Sequence, residues 1–560
     1  MKPAVAVVVL GAAAATAAVL PAAVNETVLF RDITRDAGIM FQHHAAPEKK
    51  YIVESMSGGV ALFDYDNDGL TDIYFVDSLT VETAHDPKAA RSALYRNLGN
   101  LEFEDVTDKA GVGRPGWAMG VCTADADGDG WDDLYVTALG GNKLYRNNRD
   151  GTFADVTASA GVAGSGWPTG CGFADYDGDG DLDLFVARYV RIDLKALPEF
   201  GKDKTCEYRG IAVQCGPRGL PGEGDLLFRN DGHGRFTEVG EEAGVSDPRE
   251  YFGLGLAWFD ANDDGWLDLY VANDSMPNFF YINQKDGTFK DAAFPMGVAV
   301  SEDGAEQGSM GVAVGDWDGS GRLGLFVTNF SEEYNNLFRN EGTHFSDVAF
   351  RSRTAPPSLP LVGWGTAFLD FDNDGLVDLI AVNGHVYPQL DRARLGASAG
   401  YRQRKLLYRN RGGGLFDEVA AQFGLALMEE RVSRGLAIGD LDNDGRVDVV
   451  INDLDGPPQV LRNELEGAGN WLIVTVKGKA PNTNAIGALV TVRSGATSQR
   501  RLVQSGTSYL SQDDMRQHFG LGGAKQAEAI EVRWPDGTSS RLENVKANQT
   551  VEITQPSSRP

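Results

Sequence analysis

The sequence predicts an all-β chain, a seven-bladed β-propeller followed by a small β domain. Three observations carry that prediction. An acidic pattern, D-x-D-x-D-G-x-x-D or a near form, occurs seven times, starting at Asp64, Asp125, Asp175, Asp260, Asp316, Asp370 and Asp440. A short apolar run stands before and after every copy. Two further motifs, L-Y/F-R-N and F-x-D/E-V, recur behind the acidic pattern in register with it. Such self-similarity marks a repeat architecture, and four-stranded units of this size suit a propeller.

The elements of one unit follow in order. The run before the acidic pattern reads GGVALFD, MGVCTAD, GCGFAD, GLAWFD, GVAVGD, GTAFLD and GLAIGD in the seven copies. The run after it reads IYFV, LYVT, LFVA, LYVA, LFVT, LIAV and VVI. These runs are short and rich in Val, Tyr and Phe, so they read as buried strands. L-Y/F-R-N stands at Leu94, Leu144, Leu227, Leu337 and Leu407, with weaker copies at Phe280 and Leu461, and marks a third strand. F-x-D/E-V, as in FEDVTDKAGV and FADVTASAGV, marks a fourth. A unit of 50 to 60 residues with insertions leaves no room for a long helix. The last unit has a third strand near Val460 to Asn463 and lacks a fourth, whereas FRDITRDAGI at Phe30 to Ile39 is a fourth-strand motif with no unit before it. The N-terminal strand is therefore predicted to complete the seventh blade, which removes two open edges. The propeller spans residues 28–465 on this reading, and the second β domain residues 466–555.

Composition limits the partners. Asp and Glu number 80 against 51 Lys and Arg, a net charge of −29. That field repels phosphate backbones and anionic membrane surfaces, which argues against nucleic acid. Gly is 69 of 560 residues, above the usual share of about 7%. Residues 1–23, with Lys2 before an Ala/Val/Leu stretch, read as a secretory signal peptide, an uncleaved anchor being the alternative. No Cys follows that stretch, so lipid attachment there is excluded, and charges interrupt every later apolar run. An extracytoplasmic, periplasmic or secreted, location follows. Cys206 and Cys215 flank an eight-residue segment and read as a local disulfide. Cys122 and Cys171 sit in apolar strands of neighbouring units and read as small buried residues.

The acidic loops carry the clearest chemistry. Asp at positions 1, 3, 5 and 9 surrounds a hard cation with oxygens, position 7 adds a carbonyl, and Gly at 6 permits the sharp turn. Ca²⁺ is favoured because many oxygens on a flexible loop suit the larger ion. Five copies are complete: Asp64, Asp66, Asp68, Asp72; Asp125, Asp127, Asp129, Asp133; Asp175, Asp177, Asp179, Asp183; Asp370, Asp372, Asp374, Asp378; and Asp440, Asp442, Asp444, Asp448. The fourth copy has Asp260, Asn262, Asp264 and Asp268, in which Asn262 still offers an oxygen. The fifth keeps Asp316 and Asp318 but has Ser320 at 5 and Gly324 at 9, so it is expected weak or empty. Up to seven ions are expected.

These loops resemble the FG-GAP repeats of integrin α-subunit propellers, in which such loops bind Ca²⁺ between the first two strands of a blade. After Glu466 the pattern changes to NWLIVTVKG, AIGALVTVRSG, RLVQSGTSYLSQDDMRQHFGLGG and IEVRWPDGTS. This part is similar to the UnbV-type domain found behind such repeats in bacterial proteins and in the cartilage acidic protein family. No Cys-rich tail is present, so the bacterial secreted branch fits. The resemblance implies either extracellular matrix roles or a place in enediyne-type biosynthesis.

If the acidic loops join strands one and two, all lie on one face, and the long insertions, Arg188 to Gly224 and Asn383 to Lys405, lie on the other. By the integrin resemblance that other face is the recognition face. His43, His44, Glu54, Arg188, Asn273, Asn329, Asn383 and His385 form a candidate polar ring there, the alternative being turn caps and local backbone partners. Enzyme signals are thin. GASAG at Gly396 to Gly400 matches G-x-S-x-G but lies in a polar insertion, without the strand-to-helix turn a nucleophile elbow needs. The first reading is an exported calcium-binding propeller that binds a protein or glycan. The alternative is an enzyme or biosynthetic accessory protein using an axial pocket.

Overall fold

The computed structural model describes residues 30–198, 200–202, 205–393 and 400–557. The expected signal peptide, and Ser398 of the GASAG segment, lie outside the described residues. Seven four-stranded antiparallel sheets make up the first part. The first is Val60–Phe63, Asp72–Phe75, Ala93–Asn97 and Phe103–Asp105, paired in chain order. The next five repeat that order, with first strands at Ala118–Ala124, Pro168–Ala174, Gly253–Phe259, Val312–Gly315 and Gly363–Leu369. The seventh has Ser433–Gly439, Asp448–Asp453 and Gln459–Asn463, and its outer strand is Phe30–Asp32. Phe30 pairs with Asn463, so the N-terminal strand does complete the last sheet. The longest helix among the described residues is four residues.

The first strand of each sheet packs against the first strand of the next, and the seventh packs against the first. A glycine five residues before each acidic loop makes this approach possible. A Cβ on Gly170 would lie 2.4 Å from the Leu254 carbonyl oxygen of the next sheet. On Gly255 it would lie 2.1 Å from Met310 O, and on Gly435 2.2 Å from Gly58 O, which closes the ring. No side chain fits that gap, so the period-wide Gly of the sequence is a packing requirement.

The asparagine of each L-Y/F-R-N motif locks neighbouring sheets. Asn147 Nδ2 donates to the Tyr65 carbonyl at 2.8 Å, across to the preceding sheet. Asn230, Asn283, Asn340, Asn410 and Asn463 make the equivalent bond to Ala126, Tyr176, Ala261, Trp317 and Phe371. Asn97 donates to Leu441 O at 2.8 Å and closes the circle between sheets seven and one. Each carbonyl belongs to the residue after the first Asp of an acidic loop, so loops and sheets are set by one network. Buried amides with satisfied partners of this kind specify geometry as well as contribute stability.

The cysteine expectation needs one correction. Cys122 and Cys171 are buried as expected, but they are also bonded to each other, joining the first strands of sheets two and three. Adjacent inner strands bring their Cα atoms to 5.9 Å, within the range a disulfide spans. Cys206 and Cys215 are bonded too, closing the hairpin Cys206–Tyr208 and Ile211–Val213.

The C-terminal part forms a three-stranded sheet, Gln517–Gly522, Asn470–Lys477 and Gln549–Thr554, and a four-stranded one built on Leu489–Ser494 and Gln526–Arg533. It shares one core with sheets two and three, where Phe173, Leu184, Leu472, Val490, Ile530 and Trp534 are all buried together.

Candidate metal centres and the covered acidic face

Each acidic loop joins the first and second strands of its sheet. Gly69, Gly130, Gly180, Gly265, Gly321, Gly375 and Gly445 all adopt positive φ, between 81° and 96°, a conformation that costs glycine nothing. The first Asp accepts backbone amides from within its own turn: Asp64 takes Asp68 N at 3.0 Å and Gly69 N at 2.8 Å. The Asp at position 9 ties the loop to the third strand. Asp72 accepts Asn97 N at 2.7 Å on one oxygen and Tyr65 N at 3.1 Å on the other. Asp133, Asp183, Asp268, Asp378 and Asp448 repeat this arrangement.

The carboxylates converge. Oxygens of Asp64, Asp66 and Asp72 lie within 4.8 Å of one another, as do those of Asp125, Asp127 and Asp133, of Asp175, Asp177 and Asp183, of Asp370, Asp372 and Asp374, and of Asp440, Asp442 and Asp448. These five groups belong to the five complete copies. Burial pushes the Asp72 carboxyl up to about 8 and raises Asp133, Asp183 and Asp448 well above the ordinary range. Asp66 Oδ1, Asp127 Oδ1 and Asp442 Oδ1 are buried without a hydrogen-bond partner. Buried acceptors left unpaired are costly, and a hard divalent cation among them removes that cost. The donor set is all oxygen, which fits Ca²⁺. Beside the groups, the Arg of L-Y/F-R-N approaches from the outside: Arg96 pairs with Asp68 at 2.9 Å and Arg409 with Asp372 at 2.6 Å. In loop four Asn262 Oδ1 accepts Asp264 N, and in loop five Ser320 Oγ accepts Arg322 N.

The acidic face is covered, which the sequence does not reveal. The C-terminal domain touches all seven loops. Asp514 accepts from Thr71 at loop one. Asn484 accepts Asp125 N at 2.7 Å and donates to Asp132 at loop two. Pro481 lies against Gly180 of loop three, and Arg533 and Arg500 reach loops four and five. The Gly469 amide donates to Asp372 O at loop six, and the His518 ring is 3.0 Å from Gly445 O at loop seven.

From this domain the segment Ser505 to Asp514 enters the space enclosed by the seven first strands. Val121 N donates to Leu510 O, Leu62 N to Gln512 O, and Val312 exchanges both backbone bonds with Ser508. Thr366 N donates to Ser508 Oγ and Ile438 N to Asp513 Oδ1. The tip, Tyr509, stands edge-on to Trp364 with ring centroids 4.8 Å apart, inside a buried aromatic cluster. Beside this segment a cavity of about 110 Å³ remains, lined in part by Arg501, Asp513 and His518.

The predicted ligand-face residues occupy the opposite end. His43 is fully buried, with Nδ1 accepting Asp455 N and Nε2 3.2 Å from Ser57 Oγ, and burial lowers it to about 4. His44 Nδ1 sits 2.9 Å from Asp77, whose hydrogen bond raises the imidazole above its ordinary value. Glu54 accepts the Ala46 and Val81 amides. Arg188 donates its own amide to Asp225 and its guanidinium to Gly224 O. Asn273, Asn329 and Asn383 donate to the turn carbonyls of Pro277, Tyr334 and Arg404. His385 Nδ1 accepts two amides, Nε2 lies 3.2 Å from Ser331 Oγ, and burial lowers the ring to about 3. His385 also belongs to an aromatic group with Tyr208, Phe330 and Tyr387, which brings the disulfide-closed hairpin over sheets five and six.

Arg434 was not foreseen. It is fully buried, bonds the Ser55 and Gly384 carbonyls, and stacks 3.9 Å above the Trp364 ring. Its one sequence signal is position: six residues before Asp440, where the other sheets have Gly58, Met119, Thr169, Leu254, Met310 and Trp364.

A closed ring of four-stranded repeats with acidic loops on one face defines a repeat propeller. The FG-GAP-like repeat family matches residues 64–136, 127–186, 260–327 and 316–381, and the ASPIC and UnbV family matches residues 478–560. The chain therefore carries FG-GAP-like repeats followed by an ASPIC and UnbV domain. It is 30% identical over 327 residues to cartilage acidic protein 1 of Homo sapiens, covering 57% of this chain and 46% of that protein. The Mus musculus protein is 29% identical, with 57% and 47% covered. The chain thus spans about half the length of the curated relatives it matches. Among solved structures, an N-acetylglucosamine-recognising lectin of Agrocybe aegerita aligns at 18% identity and a TM-score of 0.36, over 67% of this chain and 88% of that one. The biofilm matrix protein Bap1 of V. cholerae aligns at 11% and 0.30, over 92% and 62%.

Proposed function

We propose that the chain is an exported, calcium-stabilised scaffold that binds a protein or glycan through its insertion-bearing face. One observation carries this reading: the C-terminal domain covers the acidic face, so the propeller end left open is the one that bears the hairpin and the 383–405 insertion. Loops on a rigid scaffold are the usual carriers of recognition. The hairpin presents Glu207 and Arg209 to solvent and is held by its disulfide and by the Arg209–Glu332 pair at 2.7 Å. Two disulfides suit an oxidising compartment. No helix among the described residues is long and apolar enough to cross a membrane. Five converging carboxylate groups, with orphaned oxygens on Asp66, Asp127 and Asp442, support Ca²⁺ as the resident ion.

The test is a crosslinking pull-down with the full chain in millimolar Ca²⁺, repeated in excess chelator. A partner recovered only with calcium, and lost when Glu207 and Arg209 are both replaced by alanine, is the expected result. Equal recovery by the hairpin variant would sink the face assignment. A second reading, a small-molecule or biosynthetic role, draws on the cavity beside Ser505 to Asp514. Its polar groups are Arg501, Asp513 and His518, rather than His44 and His385.

A further inference from the structure

The fourth acidic loop meets the C-terminal domain in a way the others do not. Arg533 places a guanidinium nitrogen 3.0 Å from Asp260 Oδ2 and 3.8 Å from Asp263 Oδ1. Asp260 is the position-1 carboxylate, the oxygen donor around which each loop turns, and its side chain is only 7% exposed. Among the described residues, no Lys or Arg lies within ion-pair distance of Asp64, Asp125, Asp175, Asp316, Asp370 or Asp440. The arginines of the other loops stand further out: Arg96, Arg149, Arg409 and Arg462 engage positions 3 and 5.

Against the position-1 carboxylates of the complete loops the domain places no ion pair among the described residues, although its buried Arg501 lies in the field of Asp370 and Asp378. The domain sets Thr483 and Asn484 against loop two, glycine amides against loop six and the His518 ring against loop seven. Arg516, which comes between loops one and seven, is paired with the domain's own Asp514 at 2.6 Å. Its other donors go to Thr71 Oγ1, Asn443 Oδ1 and the Asp440 carbonyl, none of them a metal-directed carboxylate. Loop four is also the one with an amide, Asn262, in place of the position-3 carboxylate, so its field for a divalent ion is weaker. A planar, permanently charged guanidinium suits a carboxylate in that setting.

We propose that Arg533 is the resident cation of the fourth loop. It holds Asp260 in place of calcium and gives the C-terminal domain a metal-independent anchor on the propeller. The inference rests on the calcium reading of the five complete loops. On this inference no ion is bound through Asp260, Asn262, Asp264 and Asp268.

Native mass spectrometry of the full chain at saturating Ca²⁺ tests it. Wild type should carry five ions. Arg533→Ala should carry one more, because the fourth loop is then free to accept calcium. Asp260→Asn should lose none, whereas Asp370→Asn should lose one. An unchanged count in Arg533→Ala with the wild type at five would overturn the arginine assignment alone. Should Arg533→Ala fail to fold, Asp260→Asn decides, since loss of an ion there shows that calcium sat in loop four. A wild type with no bound ion would remove the calcium reading of every loop, and this inference with it.

Discussion

His43 and His385 are imidazoles held neutral by burial, and His44 is one whose pKa a hydrogen-bonded carboxylate raises. The first two have folded values of about 4 and about 3, below the ordinary value of about 6.5. The unfolded chain then binds protons that the folded chain refuses. The stability these two groups contribute is complete above about pH 6.5 and is lost as pH falls toward 4. His44 has the opposite sign: Asp77 raises it, so its contribution is present below the unfolded value and lost as pH rises through the folded one. Histidine-resolved NMR titration in Ca²⁺ should show the His43 and His385 rings, like the buried His518 ring, still neutral at pH 5 and His44 still protonated at pH 6.5. His43, His44 and His385 titrating together near 6.5 would contradict the burial argument. These histidines were legible in the sequence as residues on the insertion face. The burial of His43 and His385, and the pairing of half-exposed His44 with buried Asp77, depend on chain segments far away.

Among the elements, the seven asparagines do what the motif alone did not explain. L-Y/F-R-N was readable as a third strand from its apolar pattern. The reason for Asn is geometric: it stands at the strand end where the preceding sheet's loop carbonyl arrives. Asn97→Ala removes the bond that joins sheets one and seven and leaves the buried Leu441 and Thr71 carbonyls without that donor. It should cost about 1–3 kcal/mol, measured by denaturant unfolding of the full chain. A loss below a few tenths of a kcal/mol would show that water or a neighbour replaces the amide. The same scale explains the Cys122–Cys171 bond. Nothing in spacing distinguished two buried thiols from a pair, because only the ring of first strands brings sheets two and three side by side at those residues.

For the whole molecule, the decisive feature is the union of acidic loops, C-terminal domain and axial segment. The loops support the domain from below, and the domain holds Ser505 to Asp514 in the middle of the ring. If the loops hold calcium as proposed, its removal leaves mutually repelling buried carboxylates under that interface. Chelation should therefore lower the melting temperature and, before global unfolding, raise hydrogen exchange at the amides of Ser508, Gln512 and Asp514. Unchanged exchange in that segment alongside a lowered melt would show that the loops stabilise the sheets without controlling the domain.

The sequence by itself determined the all-β repeat, the closing N-terminal strand, the five complete acidic loops and the second β domain, because periodicity and turn chemistry are local properties of the chain. The tertiary structure alone decided that the acidic face is covered, that the axis is filled by Tyr509 and its neighbours, and that Arg434 and Arg533 sit against Trp364 and Asp260. Those facts depend on residues brought together from distant parts of the chain, and a linear pattern carries no trace of which surfaces meet.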